Sequence, residues 1–345
     1  MFDIISIGSA TRDGFFEGIP FIIVKDKRFR VGKGIALPYS GKVKVPKATF
    51  TTGGGGTNTA VTFTRQELKT ACIFRVGKDV SGEEVIKNLK AEGIDVSYVQ
   101  IDLKTPTAYS VIFLTQSGER TILSYKGAGE NISEKEIPWK KLKTRWLYLN
   151  SLGGNLNLLK KALKFASENK IFIAANPGGG ELKNLKKHKE LLKYFDIFIV
   201  NQEEASYLTD IPYHKEKGVF KKLDALIQGL VVMTKGPKGV SVSDGKILWQ
   251  AGVYREKRIV DRTGAGDAFS SGFVSVFVNE KIQKNKYRDI FNLNKIEQAI
   301  KIGSANGTSV VEYVGAKTGI LTKKQIKDKR WKNLPIKRML LTNNK

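Results

Sequence analysis

The sequence is poor in cysteine and histidine, with one cysteine and two histidines in 345 residues. The lone Cys72 cannot form an internal disulfide, and its apolar neighbours in Ala71–Phe74 predict a core position. His188 and His214 stand in lysine-rich stretches without nearby ligand residues. This scarcity argues against a histidine-based metal site and against a Ser/His nucleophile triad.

Long apolar runs are also missing. A membrane-spanning helix needs roughly 18 or more consecutive apolar residues, and no such run occurs. The start of the chain, Met1–Gly8, has an acidic residue where a signal peptide has basic ones, and its apolar run is short. We therefore expect a cytoplasmic protein that does not associate with membranes.

Acidic residues are scarce relative to basic ones: 33 Asp and Glu stand against 59 Lys and Arg, giving a formal net charge of +26. Such an excess raises nucleic acid as a partner. The lysines are dispersed, however, apart from clusters at 183–193 and toward the C-terminus, and no zinc-finger or aromatic-rich RNA-binding motif accompanies them. We expect a solvated basic surface that attracts anionic nucleotides rather than a nucleic-acid-binding protein.

Two common nucleotide-binding motifs are absent. The Walker A pattern GxxxxGK[ST] does not occur, which excludes a P-loop. The stretch Gly8–Thr11, which follows the first predicted strand, does not supply the GxGxxG fingerprint of dinucleotide-binding proteins. Any nucleotide must therefore be bound in another way.

What the sequence does contain is a regular alternation of apolar, strand-like runs with helix-like stretches. This alternation predicts an α/β fold, in which helices cover both faces of a mostly parallel sheet. The predicted strands are 4–7, 71–76, 146–149, 171–175, 197–200 and 231–234. The predicted helices lie near 57–68, 82–92, 156–168, 185–195 and 217–228.

Two segments interrupt this alternation. Residues 15–50 are rich in Gly, Lys and β-branched residues without a helical period, and Thr107–Leu114 and Arg120–Tyr125 are β-like runs joined by a predicted turn at Gln116–Glu119. We expect these parts, about 14–50 and 105–126, to form a small β-sheet that serves as a lid. The main domain is then 1–322, followed by a basic tail, 323–345, that we expect to be partly disordered.

The most informative pattern is the run DRTGAGD at Asp261–Asp267, which precedes an apolar stretch that predicts a helix. Small residues at 264–266 let backbone N–H groups converge at the helix start, where the helix dipole favours a phosphate. Asp267 follows in the first turn, where a carboxylate can orient a hydroxyl and take its proton. We interpret the run as a phosphoryl-transfer site. For the GxGD part alone, an N-capped helix after a glycine turn is the alternative.

Polar residues also follow several predicted strands, and the carboxyl ends of parallel strands face one crevice. Asp13 follows the first strand, where it either binds a ligand or caps a turn, and Gly53–Asn58 either approaches a ligand closely or forms a flexible turn. Asn176 follows another strand, and we expect it on the substrate side. The pair Asn201 and Glu204 suits hydrated Mg²⁺, a capping box, or both.

The stretch Thr234–Gly239 follows a further strand. It either borders a nucleotide or forms an ordinary hairpin turn.

Together these residues resemble the ribokinase-like (PfkB) family of carbohydrate kinases over roughly 3–318. The run Asp261–Asp267 is similar to the family's C-terminal motif, and Gly53–Asn58, which continues into Gly77–Gly82, is similar to its N-terminal motif. The motifs occur in the family's order, with Asn-x-x-Glu at Asn201 between them.

The resemblance implies a ribokinase-like three-layer α/β/α domain with a mostly parallel central sheet and a small β-sheet lid. It also implies an enzyme that uses ATP and Mg²⁺ to phosphorylate a hydroxyl, in particular a hydroxymethyl group, of a sugar or sugar derivative. By matching position, the resemblance implies that the general base is Asp267 and that the anion hole is formed by Gly264, Ala265 and Gly266. It implies that acceptor hydroxyls are bound by Asp13, Gly54 and Asn58, and that the Mg²⁺–phosphate network includes Asn201 and, through water, Glu204. It implies that ATP is bound by Thr234, Gly236, Gly239 and Asn306, with Thr263 on the same side and Asp261 beside a monovalent cation, K⁺. Since the helix start favours the ionised form of Asp267, we expect its pKa to be lowered.

The sequence departs from the family pattern on the acceptor side. Leu149–Gly154 stands where ribokinases carry a glutamate, and the segment 15–50 is longer than usual. A nucleoside kinase, adenosine-like, is therefore an alternative, with Phe15, Phe16 or Tyr109 stacking on the base. A non-catalytic sugar or nucleotide sensor is a second alternative, although the intact Asp267 argues against it. Lid strands of such kinases can pair between subunits, so we also expect a homodimer.

Overall fold

The computed structural model describes residues 1–29, 31–115, 120–280 and 291–341. The predicted turn at 116–119 lies outside the described residues. Within the described ranges, no helix combines the length and the apolar composition needed to cross a membrane.

The described elements alternate as the sequence predicts. The strands are β1 (Phe2–Ile7), β2 (Thr11–Glu17), β3 (Ile22–Lys25), β4 (Lys33–Ala36), β5 (Lys47–Gly53), β6 (Thr70–Ile73), β7 (Arg75–Gly77), β8 (Gln100–Asp102), β9 (Tyr109–Leu114), β10 (Arg120–Tyr125), β11 (Thr144–Leu149), β12 (Phe172–Ala175), β13 (Ile197–Asn201), β14 (Leu230–Thr234), β15 (Val240–Ser243), β16 (Ile247–Ala251) and β17 (Ile336–Leu340). The helices are α1 (Gly55–Arg65), α2 (Val80–Ala91), α3 (Leu156–Glu168), α4 (Gly179–Lys187), α5 (Gln202–Thr209), α6 (Glu216–Asp224), α7 (Ala265–Asn279) and α8 (Leu293–Val310).

The main sheet has nine strands in the order β17-β16-β15-β14-β13-β12-β11-β1-β6. The six strands from β14 to β6 pair in parallel, and β15, β16 and β17 add in antiparallel fashion. Successive side chains point to opposite faces, so Ile5 packs with α3–α6 while Ile4 packs with α1, α7 and α8. This arrangement confirms the predicted three-layer α/β/α domain.

The smaller sheet, called the lid sheet below, confirms the predicted small β-sheet, and its action as a lid stays a prediction. Its strand order is β10-β9-β2-β5, and β3 pairs with β4 in a separate hairpin. Asp13 lies on β2, opposite Thr51 of β5 and Ser110 of β9. The same face of the sheet carries Phe15, which is fully buried with Ile112. The lid therefore holds Asp13 on the face that packs against the main domain.

Residues 323–341 are ordered, in contrast to the partly disordered tail that we expected. Residues 336–340 form β17, which pairs with β16 at the edge of the main sheet. Trp331 and Leu334 are buried, and the Trp331 ring packs edge-on against Tyr254. These apolar side chains anchor the segment, while most of its basic side chains stay exposed.

Two element boundaries also differ from the prediction. The helix expected at 185–195 begins earlier, at Gly179, where the Glu181 carboxylate accepts from the N–H of Gly178. It ends before His188, and a separate 3₁₀ turn covers Lys189–Tyr194. The strand expected at 71–76 divides, because Arg75–Gly77 pairs with β8 in a sheet of its own.

Candidate active site

The start of α7 follows a loop that is held by Asp261. The Asp261 carboxylate accepts from the N–H and the hydroxyl of Thr263, at 2.9 and 2.7 Å, and from the N–H of Gly315, at 3.1 Å. Gly264 has φ 79°, and a Cβ there would overlap Ala316, so only glycine fits. This loop exposes the first turn of α7, whose N–H groups have no partner within the helix and suit an anion.

Asp267 lies in that first turn between two amide side chains. Its Oδ2 accepts from Nδ2 of Asn58 at 2.9 Å, and its Oδ1 accepts from Nδ2 of Asn150 at 3.2 Å. Burial raises the pKa of Asp267 above its usual value, although the two amide donors lower it. The expectation of a lowered pKa is therefore wrong, because desolvation outweighs the donors. A raised pKa makes the carboxylate a better proton acceptor.

Asn150 is a site residue that sequence reasoning missed. It follows β11 at the carboxyl end of the strand, and the Ser151 N–H donates to its Oδ1 at 2.7 Å. This contact fixes the amide so that Nδ2 points to Asp267. The signal was a polar residue directly after a buried strand, the same signal that indicated Asn176 and Asn201.

The acceptor side of the site is formed by β2 and the start of α1. Asp13 is buried, its Oδ1 accepts from the Thr11 hydroxyl at 3.0 Å, and burial raises its pKa. A Cβ at Gly53 would overlap the Asp13 carboxylate, and Gly54 has φ 97° against the backbone of Ser9. The glycine run therefore permits close packing of the start of α1 against the lid strand and the segment before it. Its predicted approach to a ligand stays a prediction.

Asn58 contributes an unused acceptor to the same place. Its Oδ1 is buried and has no hydrogen-bond partner in the described part of the chain, while its Nδ2 donates to Asp267. Buried polar groups are nearly always hydrogen-bonded in native proteins. An Oδ1 in this position suits a hydroxyl donor on a ligand.

A cavity of about 270 Å³ lies on the other side of the α7 start. Three segments form it: the β14–β15 turn, residues 253–266, and the C-terminal half of α8. Its lining residues are Thr234, Gly236, Pro237, Gly239, Val253, Glu256, Ile259, Arg262, Ala265, Gly266, Phe269, Ser304, Gly307, Thr308 and Val311. Mixed apolar walls with a few polar groups are typical of sites for small molecules.

The sequence model described as "pfkB family carbohydrate kinase" matches residues 20–323. The chain belongs to the pfkB family of carbohydrate kinases. It is therefore an ATP-dependent kinase of the ribokinase type, as its two motifs suggested.

Individual relatives of this pfkB kinase are also sugar or nucleoside kinases. It is 28% identical to a ribokinase of Haemophilus influenzae, with 79% of this chain and 85% of the relative covered. It is 25% identical to a nucleoside kinase of Methanocaldococcus jannaschii, with 81% and 85% covered. The solved structure of ribokinase from Giardia lamblia superposes with a TM-score of 0.77 at 21% identity, covering 94% of this chain and 99% of that one.

The cavity of the pfkB kinase brings together several predicted ATP residues and leaves others out. Thr234, Gly236 and Gly239 line it. Asn306, predicted to line it, does not. The Asn306 side chain is fully buried, its Nδ2 donates to the Ala268 carbonyl, and its Oδ1 accepts from the N–H of Leu321. It connects α8 to α7, and its helix neighbours Ser304, Gly307 and Thr308 line the cavity instead.

Asn201 and Glu204 form a capping box at the start of α5, as one of the two interpretations of their spacing predicted. The Glu204 N–H donates to Oδ1 of Asn201 at 2.9 Å, and the Asn201 N–H donates to Oε2 of Glu204 at 2.7 Å. Burial raises the pKa of Glu204. Neither residue lines the cavity, and no cluster of three or more His, Cys, Asp or Glu that could hold a metal ion occurs in the ranges described.

Asn176 also makes a structural contact, because its Nδ2 donates to the Ile199 carbonyl at 3.0 Å. This contact joins β12 to β13 at their carboxyl ends. The Asn176 side chain therefore stabilises the sheet at the edge where the site lies, whatever it contacts in a ligand.

Lys317 is a second residue that the sequence did not indicate. Its side chain is almost completely buried, and its Nζ donates to Oγ1 of Thr52 at 2.8 Å and to Oδ1 of Asn88 at 3.3 Å. Burial lowers its pKa to about 8, against the attraction of Asp13. The residue connects the loop after α8 to lid strand β5 and helix α2.

Proposed function

We propose that this kinase transfers phosphate from ATP to a hydroxyl, in particular a hydroxymethyl group, of a sugar or sugar derivative. The observation that supports this most directly is the position of Asp267, which Asn58 and Asn150 hold at the start of α7. The cavity begins on one side of this helix start, and the lid strand with Asp13 begins on the other.

In the proposed reaction, Asp13, the backbone at Gly54 and the free Oδ1 of Asn58 bind acceptor hydroxyls, with Asn176 on the same side. Asp267 orients the attacking hydroxyl and takes its proton, which a raised pKa favours. The N–H groups at Gly264–Gly266 stabilise charge on the transferred phosphoryl group. Such a reaction depends mainly on positioning and on charge stabilisation.

We propose that ATP lies in the cavity against Thr234, Gly236 and Gly239, with Thr263 holding the loop beside it. Mg²⁺ keeps several waters in proteins, so one carboxylate oxygen suits it. Glu204 fits this need, because Oε2 serves the helix cap and Oε1 remains for a metal-bound water. Mg²⁺ would supply charge neutralisation of the ATP phosphates, and Asn201 would hold the Glu204 carboxylate in place.

K⁺ is proposed beside Asp261. This carboxylate is fully buried, and no lysine or arginine of the described ranges forms an ion pair with it. A buried carboxylate without a cation is costly unless its charge is balanced. The three groups that donate to Asp261 reduce this cost, and a monovalent cation would reduce it further.

An ADP-release screen over sugars, sugar phosphates and nucleosides tests the proposal. We expect turnover with at least one sugar or sugar derivative that carries a free hydroxymethyl group. Turnover with nucleosides alone would support the adenosine-like alternative, which the nucleoside kinase among the relatives favours. Binding without turnover across the screen would support the non-catalytic sensor and contradict the proposal.

The nucleoside alternative needs an aromatic ring of the lid that can stack on the base. Phe15 is fully buried against Ile112 and Leu114, so its ring is not open to a base. Phe16 points to the other face of the lid sheet, where it packs with Phe50 and Phe113. Tyr109 lies on that same face, with its hydroxyl beside the Phe16 and Phe50 rings. A nucleoside base would therefore have to stack on a residue other than these three.

We further propose a cytoplasmic location and a homodimer formed through the lid. The outer face of the lid sheet has a row of side chains across its strands: Phe50, Gly14, Val111 and Leu123. Phe50 is 52% and Leu123 57% exposed. A second copy of the same face would cover these apolar side chains.

A further inference from the structure

Arg262 is an arginine whose side chain forms no hydrogen bond or ion pair with the residues that the structure describes. It lies in the wall of the 270 Å³ cavity. Its Nε is buried and makes no hydrogen bond, and the guanidinium forms no ion pair with any residue of the described ranges. A buried donor without an acceptor is unusual in a native structure.

Other sheltered arginines of the chain show the contrast. Arg65 pairs with Glu92, Arg75 pairs with Asp102 and Glu136, and Arg330 pairs with Glu312. In each case a carboxylate balances the charge. Arg262 lines the cavity without such a carboxylate contact from the described residues, which points to an acceptor that is not part of the protein.

The position of Arg262 indicates the charge of that acceptor. The residue immediately precedes the Thr263–Gly264 turn, and its carbonyl accepts from the N–H of Ala265 at 3.4 Å. Ala265 and Gly266, at the start of α7, line the same cavity. A guanidinium and the positive end of a helix thus border one space, and both favour a multiply charged anion.

We propose that Arg262 binds the terminal phosphates of the donor nucleotide, next to the anion hole. The inference rests on the proposed function, since it needs a nucleotide in the cavity. A guanidinium offers two parallel N–H donors to phosphate oxygens, which a lysine cannot match. The carboxylate of Glu256 also lines the cavity, and its charge disfavours phosphates beside it. The phosphate chain therefore belongs at the Arg262 end.

Binding measurements with ligands of increasing phosphate number test this assignment. Isothermal titration calorimetry in the presence of Mg²⁺ compares adenosine, AMP, ADP and a non-hydrolysable ATP analogue on wild-type protein and on Arg262→Gln. We expect the variant to lose about tenfold or more in affinity for the ATP analogue, since a charge-assisted hydrogen bond is lost. Affinity for adenosine and AMP should stay within about twofold.

Two further variants serve as controls. Arg262→Lys keeps the charge without the paired donors, so it should restore part of the affinity for the ATP analogue. Arg255→Gln removes the same charge from an exposed residue outside the cavity lining, and it should change no affinity beyond about twofold. Thermal melting confirms that each variant folds.

Several outcomes contradict the assignment. An equal loss for all four ligands would show that Arg262 only shapes the cavity wall. Unchanged affinity for the ATP analogue would show that the guanidinium does not contact phosphate. A wild-type protein that binds none of the four ligands would instead contradict the proposed function, and the inference would fall with it.

Discussion

At the scale of single residues, the environment of Asp267 combines opposing influences. Burial raises its pKa, while the amide groups of Asn58 and Asn150 and the helix start favour its charged form. The result is a carboxylate that is more basic than an exposed one and still held in one orientation. Both properties suit a group that accepts a proton from a hydroxyl.

The first prediction concerns this carboxylate. Asp267→Asn keeps the shape of the side chain but cannot accept a proton. We expect kcat to fall by roughly 10²–10⁴, with ATP affinity and the circular dichroism spectrum unchanged. Near-normal turnover on the true acceptor would show that Asp267 is not the base.

The second prediction concerns Asn150, which acts through Asp267. Its amide donates to Oδ1 of the carboxylate and so lowers the pKa. Asn150→Ala removes the donor, and the pKa of Asp267 should rise further. Since the ionised form is the active one, the acid limb of the kcat/KM profile should move to higher pH. A lower maximum rate with an unmoved acid limb would indicate a purely structural role.

The third prediction concerns Glu204. Glu204→Gln retains an oxygen that can accept from the Asn201 N–H, so the capping box and α5 should persist. If the carboxylate holds a metal-bound water, the Mg²⁺ concentration for half-maximal activity should rise more than the KM of the acceptor. An unchanged Mg²⁺ dependence would leave Glu204 with the capping role alone.

At the scale of elements, the loop after α8 connects the two sides of the site. Gly315 donates to Asp261, Ala316 packs against Gly264, and Lys317 reaches Thr52 on lid strand β5. The loop after α8 thus contacts both the lid strand and the loop that starts α7. The buried ammonium group is the element of this connection that responds to pH.

The fourth prediction follows from the pKa of Lys317, which is lowered to about 8 from 10.5. The unfolded chain binds this proton more readily, so the contribution of Lys317 to stability rises between pH 8 and 10.5 and is lost as pH falls through 8. The titratable groups that act on its pKa are Asp13, Cys72, Glu92 and Arg65. Urea unfolding at several pH values gives the free energy of unfolding as a function of pH. Between pH 8 and 10.5 this free energy should rise less steeply with pH in Lys317→Met than in the wild-type protein. Identical slopes in both proteins would contradict this.

The sequence predicted the order of elements well, because each strand of the main sheet is a short apolar run and each glycine motif has a distinctive composition. It also predicted Asp267, Asp13 and Asn58 at one place. It did not predict the contact of Asn150 with Asp267 or the burial of Lys317, because both depend on segments far apart in the chain. The expectation of a lowered pKa for Asp267 was wrong for the same reason, since the burial of this residue depends on the packing of α1 and β11 around α7.

At the scale of the whole molecule, the lid sheet exposes apolar side chains such as Phe50 and Leu123 on its outer face. The fifth prediction is that the protein is a dimer in sedimentation experiments and that Leu123→Glu, which places like charges at the shared face, yields a monomer. Val80→Glu changes an apolar residue outside the lid that is more exposed than Leu123, and it should leave the dimer intact. A wild-type monomer at micromolar concentration would contradict the lid dimer.

The strand β17 has a consequence for solubility. It forms the outer edge of the main sheet and covers β16, which contains the fully buried Trp249. Unpaired edge strands invite pairing with other chains, and charged side chains on an edge oppose it. Lys337 and Arg338 are exposed on β17. The strand thus presents like charges to any neighbouring molecule, and its removal would leave an apolar edge open to aggregation.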